Sequence, residues 1–371
     1  MEEERRWAMN RHLALPWALA VLVTLLLTAC DRRPLEVIVE KNTHVRINVD
    51  WASHFGQQPS GMTVKLYPAD GSAPITNVTN DVDGIDVGLT AGTYYLMVFN
   101  QTEDEFGSMT FSDMQQHTAA VAHAARATLH GNSTWDQGVA YYADPEPIGV
   151  AVDTITITQD MVDKGISFER YKKGMTTNHI YEGADTYTYD EVVLPMTSRL
   201  NITVHIKGIG NMRSVAGYIT GLANGFYLYS GQRLNTACTL PLDSWKGAYS
   251  DKDANTGVIT TTTATFGLPD DKVVLANRDP KDNRIVLCFT LVDGSTRLFS
   301  FDVARFIHYR QIDESQPLRD RYAMSLDLDL VLQAPLIDEP VLPDVKPDSK
   351  GDGFDAEVQP WEDGGTIDVG V

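Results

Sequence analysis

Positive charge is the first thing this chain is short of: 30 Lys and Arg stand against 50 Asp and Glu, for a formal net charge of −20 over 371 residues. That balance excludes nucleic acid as a natural partner, because phosphate binding asks for clustered Lys and Arg. Cysteine is nearly absent, with three in all and no Cys-x-x-Cys pair. Also missing are a G-x-S-x-G elbow, an H-E-x-x-H helix and a phosphate-cradling glycine loop, so the usual motifs for acyl transfer, metal-assisted hydrolysis and nucleotide chemistry are not present. Acidic residues are so many that any carboxylate pair chosen for glycoside hydrolysis would be arbitrary, since separation in space is what identifies one. No catalytic, metal-binding or cofactor-binding residue is therefore nominated, and the expectation is a protein that is not an enzyme. After residue 28 no hydrophobic run is long enough to cross a bilayer.

What is there begins with "LALPWALAVLVTLLLTACDRRP", residues 13–34. The apolar run Leu13–Thr28 would span about 24 Å as a helix, short of the roughly 30 Å of a hydrocarbon core. Arg5, Arg6 and Arg11 precede it and small residues close it, which is the layout of a secretory signal. The closing Leu27-Thr28-Ala29-Cys30 reads as a bacterial lipobox. On that reading residues 1–29 are a lipoprotein signal peptide, and Cys30 takes lipid on its sulfur. Residues 30–42 then form a lipidated tether to the outer membrane, since multiple acyl chains hold far better than one myristoyl group. Asp31 would favour the inner membrane under the enterobacterial sorting rule, which does not transfer safely outside that lineage. The other two cysteines, Cys238 and Cys288, lie in strand-like runs. They could pair in an oxidising compartment or stay as free thiols in a core; two positions do not decide it.

Downstream the pattern is period two. In "HVRINVDW" Val45, Ile47 and Val49 alternate with Arg46, Asn48 and Asp50, and "MTVKLYP" repeats the alternation. "GIDVGLTAGTYYLMVFN", residues 84–100, reads as a hairpin with Gly92 in its turn. "DMQQHTAAVAHAARATLH", residues 113–130, is rich in alanine and is the one plausible helix of the first half. Its His117, His123 and His130 are spaced too widely to share a metal. "DTITITQD" is a strand. The pattern dissolves at 167–185, an expected connection between a first domain at 43–166 and a second at 186–371. In the second half Leu200, Ile202, Val204 and Ile206 alternate with polar residues, His205 among them. "RIVLCFTLVDGSTRLFSFDV" is a strong hairpin, with Asp293-Gly294 expected as a type I′ turn. A Pro/Asp-rich segment at 333–360 predicts an extended path; its Asp348, Asp352 and Asp355 fail the spacing of a calcium loop. The closing "TIDVGV", with Ile367 at its centre, can add a terminal strand.

These runs carry a resemblance. The lipobox at Cys30, "VRINVDW…SGMTVKLYPADG…LTAGTYYLMVFN" and "RLNITVHIKGIGNMRSVAGYITGLANGFYLYSG" resemble the fimbrillin-type lipoproteins of Bacteroides-related bacteria, which include the anchor and accessory subunits of type V fimbriae. The resemblance implies an all-β fold of two tandem transthyretin-like, Greek-key β-sandwich domains, held by lipid at Cys30. It also implies partners, namely other fimbrial subunits joined by β-strand complementation. In stalk subunits of that family a segment is trimmed after Arg or Lys beyond the first strand. Arg46 and Arg126 are candidates, and neither is marked out. The rival reading is a surface lipoprotein that holds glycan on exposed Trp51, Trp135, Trp245 and Trp361; in a sandwich such residues are more often core or rim anchors.

Overall fold

The computed structural model describes residues 37–52, 58–130, 133–171, 185–253, 255–309, 327–333, 337–347 and 366–368. Regular structure among them is β-strand, apart from single 3-10 turns and one five-residue helix, α1 (Gln159–Asp163). The all-β expectation holds.

In the first half, β1 (Val37–Asp50) runs antiparallel to β4 (Gly84–Leu89) and parallel to β12 (Thr186–Val192), with β11 (Ile166–Tyr171) along its first residues. The facing sheet has the order β10 (Gly149–Ile157), β5 (Gly92–Asn100), β2 (Met62–Pro68), β3 (Ile75–Thr79), and the short β13 (Leu194–Pro195) meets the start of β10. Alternation decides which side chains meet. Val45, Ile47 and Val49 of β1 pack on Val64 and Leu66 of β2, Leu96 and Val98 of β5, and Ile155 of β10. Trp51 seals this core, its indole N–H donating to the Val82 carbonyl at 2.8 Å.

The second half repeats the plan. β14 (Ser198–Lys207) is antiparallel to β19 (Thr256–Thr265) and parallel to β23 (Asp327–Leu332). Its facing sheet has the order β17 (Ala237–Leu242), β15 (Met212–Ala223), β20 (Arg284–Leu291), β21 (Thr296–Asp302). Strand for strand, β1, β2, β3, β4, β5, β10 and β12 correspond to β14, β15, β17, β19, β20, β21 and β23, with the same pairings and the same directions. Leu200, Ile202, Val204 and Ile206 meet Ile219, Leu240, Leu287 and Phe289 in its core, around the fully buried Trp245. β18 (Lys246–Tyr249), β22 (His308–Tyr309) and β24 (Thr366–Asp368) widen the β14 sheet, and β24 provides the terminal strand that "TIDVGV" suggested. The Pro-rich chain lies extended against the end of β14: Lys207 N–H donates to Pro340 O at 2.9 Å and Leu342 N–H to Lys207 O at 2.8 Å.

A third layer joins the halves. β6 (Met109–Ser112) and β7 (Val121–Ala124) pair with β16 (Gly225–Tyr227), which belongs to the second half. Their cluster, including Phe226, Ala122 and Phe266, covers the outer face of the β5 sheet at Tyr67, Met97 and Phe99. β2 is consequently buried on both sides. β8 (Arg126–His130) and β9 (Ala140–Tyr142) continue the excursion, with β9 beside β17.

Several expectations change. The alanine-rich segment is not a helix: Ala120, Ala122 and Ala124 lie buried on one face of an extended chain, where small side chains let β7 settle close on the aromatic layer. Burial of that face overrides the helical preference of alanine. Residues 37–42, within the span expected as a tether, pair with β11. β12 pairs with β1 over residues 186–192 and β13 with β10, so the chain completes the first sandwich before β14 opens the second. The β20–β21 turn is a type I turn followed by a bulge, not type I′. Gly294 alone has a left-handed φ, +80°, its N–H donates to Leu291 O at 2.9 Å, and the Asp293 carboxylate accepts from Ser295 N–H. Cys238 and Cys288 are free thiols. Cys238 points into the second core from β17. Cys288, between inward Leu287 and Phe289 of β20, faces the other side of the same sheet, with β15 between the two strands. A disulfide cannot join side chains on opposite faces of a sheet across an intervening strand.

Candidate functional site

One open edge of the fold is the outer side of β10. Residues 150–157 pair with β5 on one side; on the other, β13 reaches only Gly149 and Val150. Among the described residues Ala151–Ile157 therefore present one row of main-chain groups with no strand beside it. Such a row is a template for another strand. β12, across the gap in the opposite sheet, likewise pairs with β1 alone.

The side chains along this seam have a definite arrangement. Ala151, Ile155 and Ile157 face the first core. Asp153 takes the same face by alternation, opposite Leu96, yet is exposed, so the sandwich is unsealed there. Tyr189 on β12 stands across from it: burial raises the pKa of that phenol first, and the charge of Asp153 adds to the rise. On the outer face, Val150 and Val152 border a cleft of about 210 Å³ shared with Val192, Leu194, Met196 and Leu228. Tyr229 closes it, its hydroxyl 3.4 Å from Thr154 Oγ1. His117 lies next to this, stacked on Tyr95 at 4.0 Å between ring centres and edge-on to Tyr229 at 4.8 Å. Burial lowers the pKa of His117. The cleft is smaller than the 300 Å³ or more of a typical drug-sized pocket and suits one large side chain.

The other nominated residues fall elsewhere. Cys30 lies outside the described residues, as do Asp348, Asp352, Asp355 and Trp361. Arg46 is in the middle of β1, opposite Asp86 of β4 and Thr188 of β12, and its guanidinium pairs with the Asp86 carboxylate at 2.9 Å. Burial raises the pKa of Asp86, but hydrogen bonds from His44 and Arg46 outweigh it and leave the group lowered. A cut after Arg46 would need this strand to leave its sheet. Arg126 is exposed at the start of β8, 5.9 Å from the Tyr142 ring centre. Trp51 and Trp245 are interior, and Trp135 is half-buried and stacked on Tyr218, so these three offer no shared open face to a sugar. His123 hydrogen-bonds Ser112 at 3.3 Å, and no group of metal-ligating side chains occurs among the described residues. The seam itself was not legible as a site, although "DTITITQD" carried a signal: an Asp at a core-facing position of a strand.

In comparison with solved structures, a candidate adhesin from Bacteroides ovatus is similar to this chain at 16% identity, covering 82% of this chain and 94% of that one with a TM-score of 0.53. The fimbrial anchor protein Mfa2 from Porphyromonas gingivalis is similar at 12% identity, over 78% of this chain and 90% of its own, with a TM-score of 0.42. A fimbrial assembly protein from Parabacteroides distasonis is 10% identical over 74% and 91%, with a TM-score of 0.31. The first of these shares the fold. Among curated proteins no sequence matches. Residues 29–243, which run from the end of the apolar segment through the first half and the third layer to β17, match the Domain of unknown function (DUF5119), and the chain belongs to that family.

Proposed function

We propose that this protein is a lipid-anchored accessory or anchor subunit of a fimbrium, attached at the outer membrane through Cys30 and joined to other subunits by strand addition. The observation that carries this reading is the edge of β10 at Ala151–Ile157, which has no partner strand among the described residues. Main-chain hydrogen bonds along such an edge supply affinity without demanding a particular sequence, while neighbouring pockets choose among side chains. A fibre subunit needs that combination; a glycan receptor needs exposed aromatic planes, and Trp51 and Trp245 are interior. The lipobox at residues 27–30 and the fold shared with a candidate adhesin agree with a surface role.

The test is a comparison of the intact protein with Cys30→Ala in the native host, by membrane fractionation and fimbrial purification. The anchor reading expects wild type to sediment with outer membrane and fimbrial subunits, and the variant to release fibres into the medium. If no fimbrial protein accompanies either form, the fimbrial role is wrong.

A further inference from the structure

The seam does more than leave an edge open; its two faces differ in chemistry. Looking inward, the exposed Asp153 carboxylate faces the gap toward Tyr189. Looking outward, one residue away, Val152 borders the cleft of Leu194, Met196 and Leu228, a mainly apolar lining in which Glu191 and Ser230 also take part. A strand laid along β10 would send alternate side chains to these two faces. Its residue beside Asp153 would point inward and its neighbour beside Val152 would point into the cleft.

We infer that the β10 seam selects an extended segment of another protein chain that carries a basic residue immediately next to a large apolar one, the first beside Asp153 and the second in the cleft between the halves. This rests on the strand-addition reading above and goes beyond it by stating which strand fits. Opposite charges on directly opposed cross-strand positions attract, and like charges repel. An inward charge on an edge strand also disfavours self-pairing, because two β10 edges would bring Asp153 toward its copy. Asp153 thus admits a basic partner strand and excludes another β10.

The experiment uses the full chain and three capped synthetic peptides. The first is Thr-Val-Thr-Val-Thr-Arg-Leu-Thr, which ends beside Ala151 and so stops short of β13; the second has Glu in place of Arg, and the third Ser in place of Leu. Amide exchange of residues 151–157 is followed as each is titrated. The Arg-Leu peptide should slow exchange along β10, and the Glu and Ser forms should each bind about fivefold to tenfold more weakly. Asp153→Lys should reverse the preference between Arg and Glu, and Asp153→Asn should abolish it. Should no peptide slow exchange at β10, strand addition at this edge fails, and the selection with it. Should all three protect β10 equally, in wild type and in both variants, strand addition stands and the selection is overturned. The peptide comparison in wild type is decisive even where a variant does not fold.

Discussion

The two halves share seven strands with identical pairings, and they differ in where the extra chain is placed. Between β5 and β10 the first half inserts residues 101–148, with four additional strands; the equivalent connection between β20 and β21 is the short turn at Val292–Ser295. The reverse holds one step earlier. β4 and β5 are separated by Thr90 and Ala91, whereas β19 and β20 are separated by residues 266–283. The first insertion reaches across to the other half through β7, β9 and Trp135. Past Phe266, which joins the third layer, the second folds back on its own half: Arg278, almost wholly buried, donates to the carbonyls of Lys272, Val273, Ala304 and Ile307. One plan therefore tolerates two uses of the same kind of insertion, a clasp between halves and a locally braced loop. The edge strands differ accordingly. On β10 the inward charge is Asp153, and on the equivalent β21 it is Arg297, opposite inward Phe289. Each edge that paired with its own copy would bring like charges together.

The clasp is the place to break this comparison hardest. Phe226 is fully buried in the third layer, 5.3 Å from the Phe266 ring centre, with the Arg233 guanidinium over its face. Phe226→Ala should cost about 3–5 kcal/mol. In calorimetry, one transition should split into two as the halves unfold separately. A single transition, merely lowered, would show that the layer stabilises without coupling. The braced loop should respond locally. Arg278→Lys replaces a planar fork by one ammonium, leaving carbonyls unserved at a cost of about 2–3 kcal/mol. Faster amide exchange should stay within residues 268–283 and the facing 303–307, and its spread into β5 or β10 would contradict local bracing. Smaller again is Gly221→Ala. Gly221 sits at the register shift of β15 with φ +79°, a bulge that β2 does not have, and a Cβ there would overlap the Asp282 carbonyl. A loss of about 1–3 kcal/mol is expected, while a β2 glycine-free strand offers no counterpart position.

Much of this fold is visible in the sequence because each half is built from strands whose two faces meet different surroundings. Val45-Ile47-Val49 and Leu200-Ile202-Val204-Ile206 alternate plainly, and each lies at the centre of its half. The third layer is not visible for the same reason. Met97 and Phe99 are as buried as Leu96 and Val98, and Tyr95 is half-buried, so β5 reads as continuously apolar and does not say what covers its second face. Ala120, Ala122 and Ala124 are small because they touch that face closely, and in sequence smallness resembles helix preference. Asp153 was legible only as one more acid among 50. That it faces a core side of an unpaired edge depends on β12 returning to β1 in parallel, a contact some 140 residues distant in the chain that local patterning does not encode.

The junction between clasp and second half also carries the smallest effect. Asp144, from the end of the excursion, accepts a hydrogen bond from Thr263 Oγ1 at 2.8 Å, and that hydroxyl belongs to β19. Burial raises the pKa of Asp144, Thr263 and a main-chain bond from Ala264 partly offset it, and the nearby Asp243 carboxylate adds to the rise. Burial raises Asp243 in the same way. A raised folded pKa means that the native chain binds more protons than the unfolded chain between the unfolded value, near 3.9, and the folded one. Stability should therefore increase as pH falls through the folded pKa of Asp144, and the penalty is fully present above it. Asp144→Asn keeps an oxygen for Thr263 and removes the charge. The variant should melt slightly higher than wild type at neutral pH, and the difference should vanish as pH falls toward 4. Melting curves of both proteins across that range test it. A variant less stable than wild type at neutral pH would mean that the carboxylate's hydrogen bonds outweigh its burial, and the clasp would then be held at this point by charge and not in spite of it.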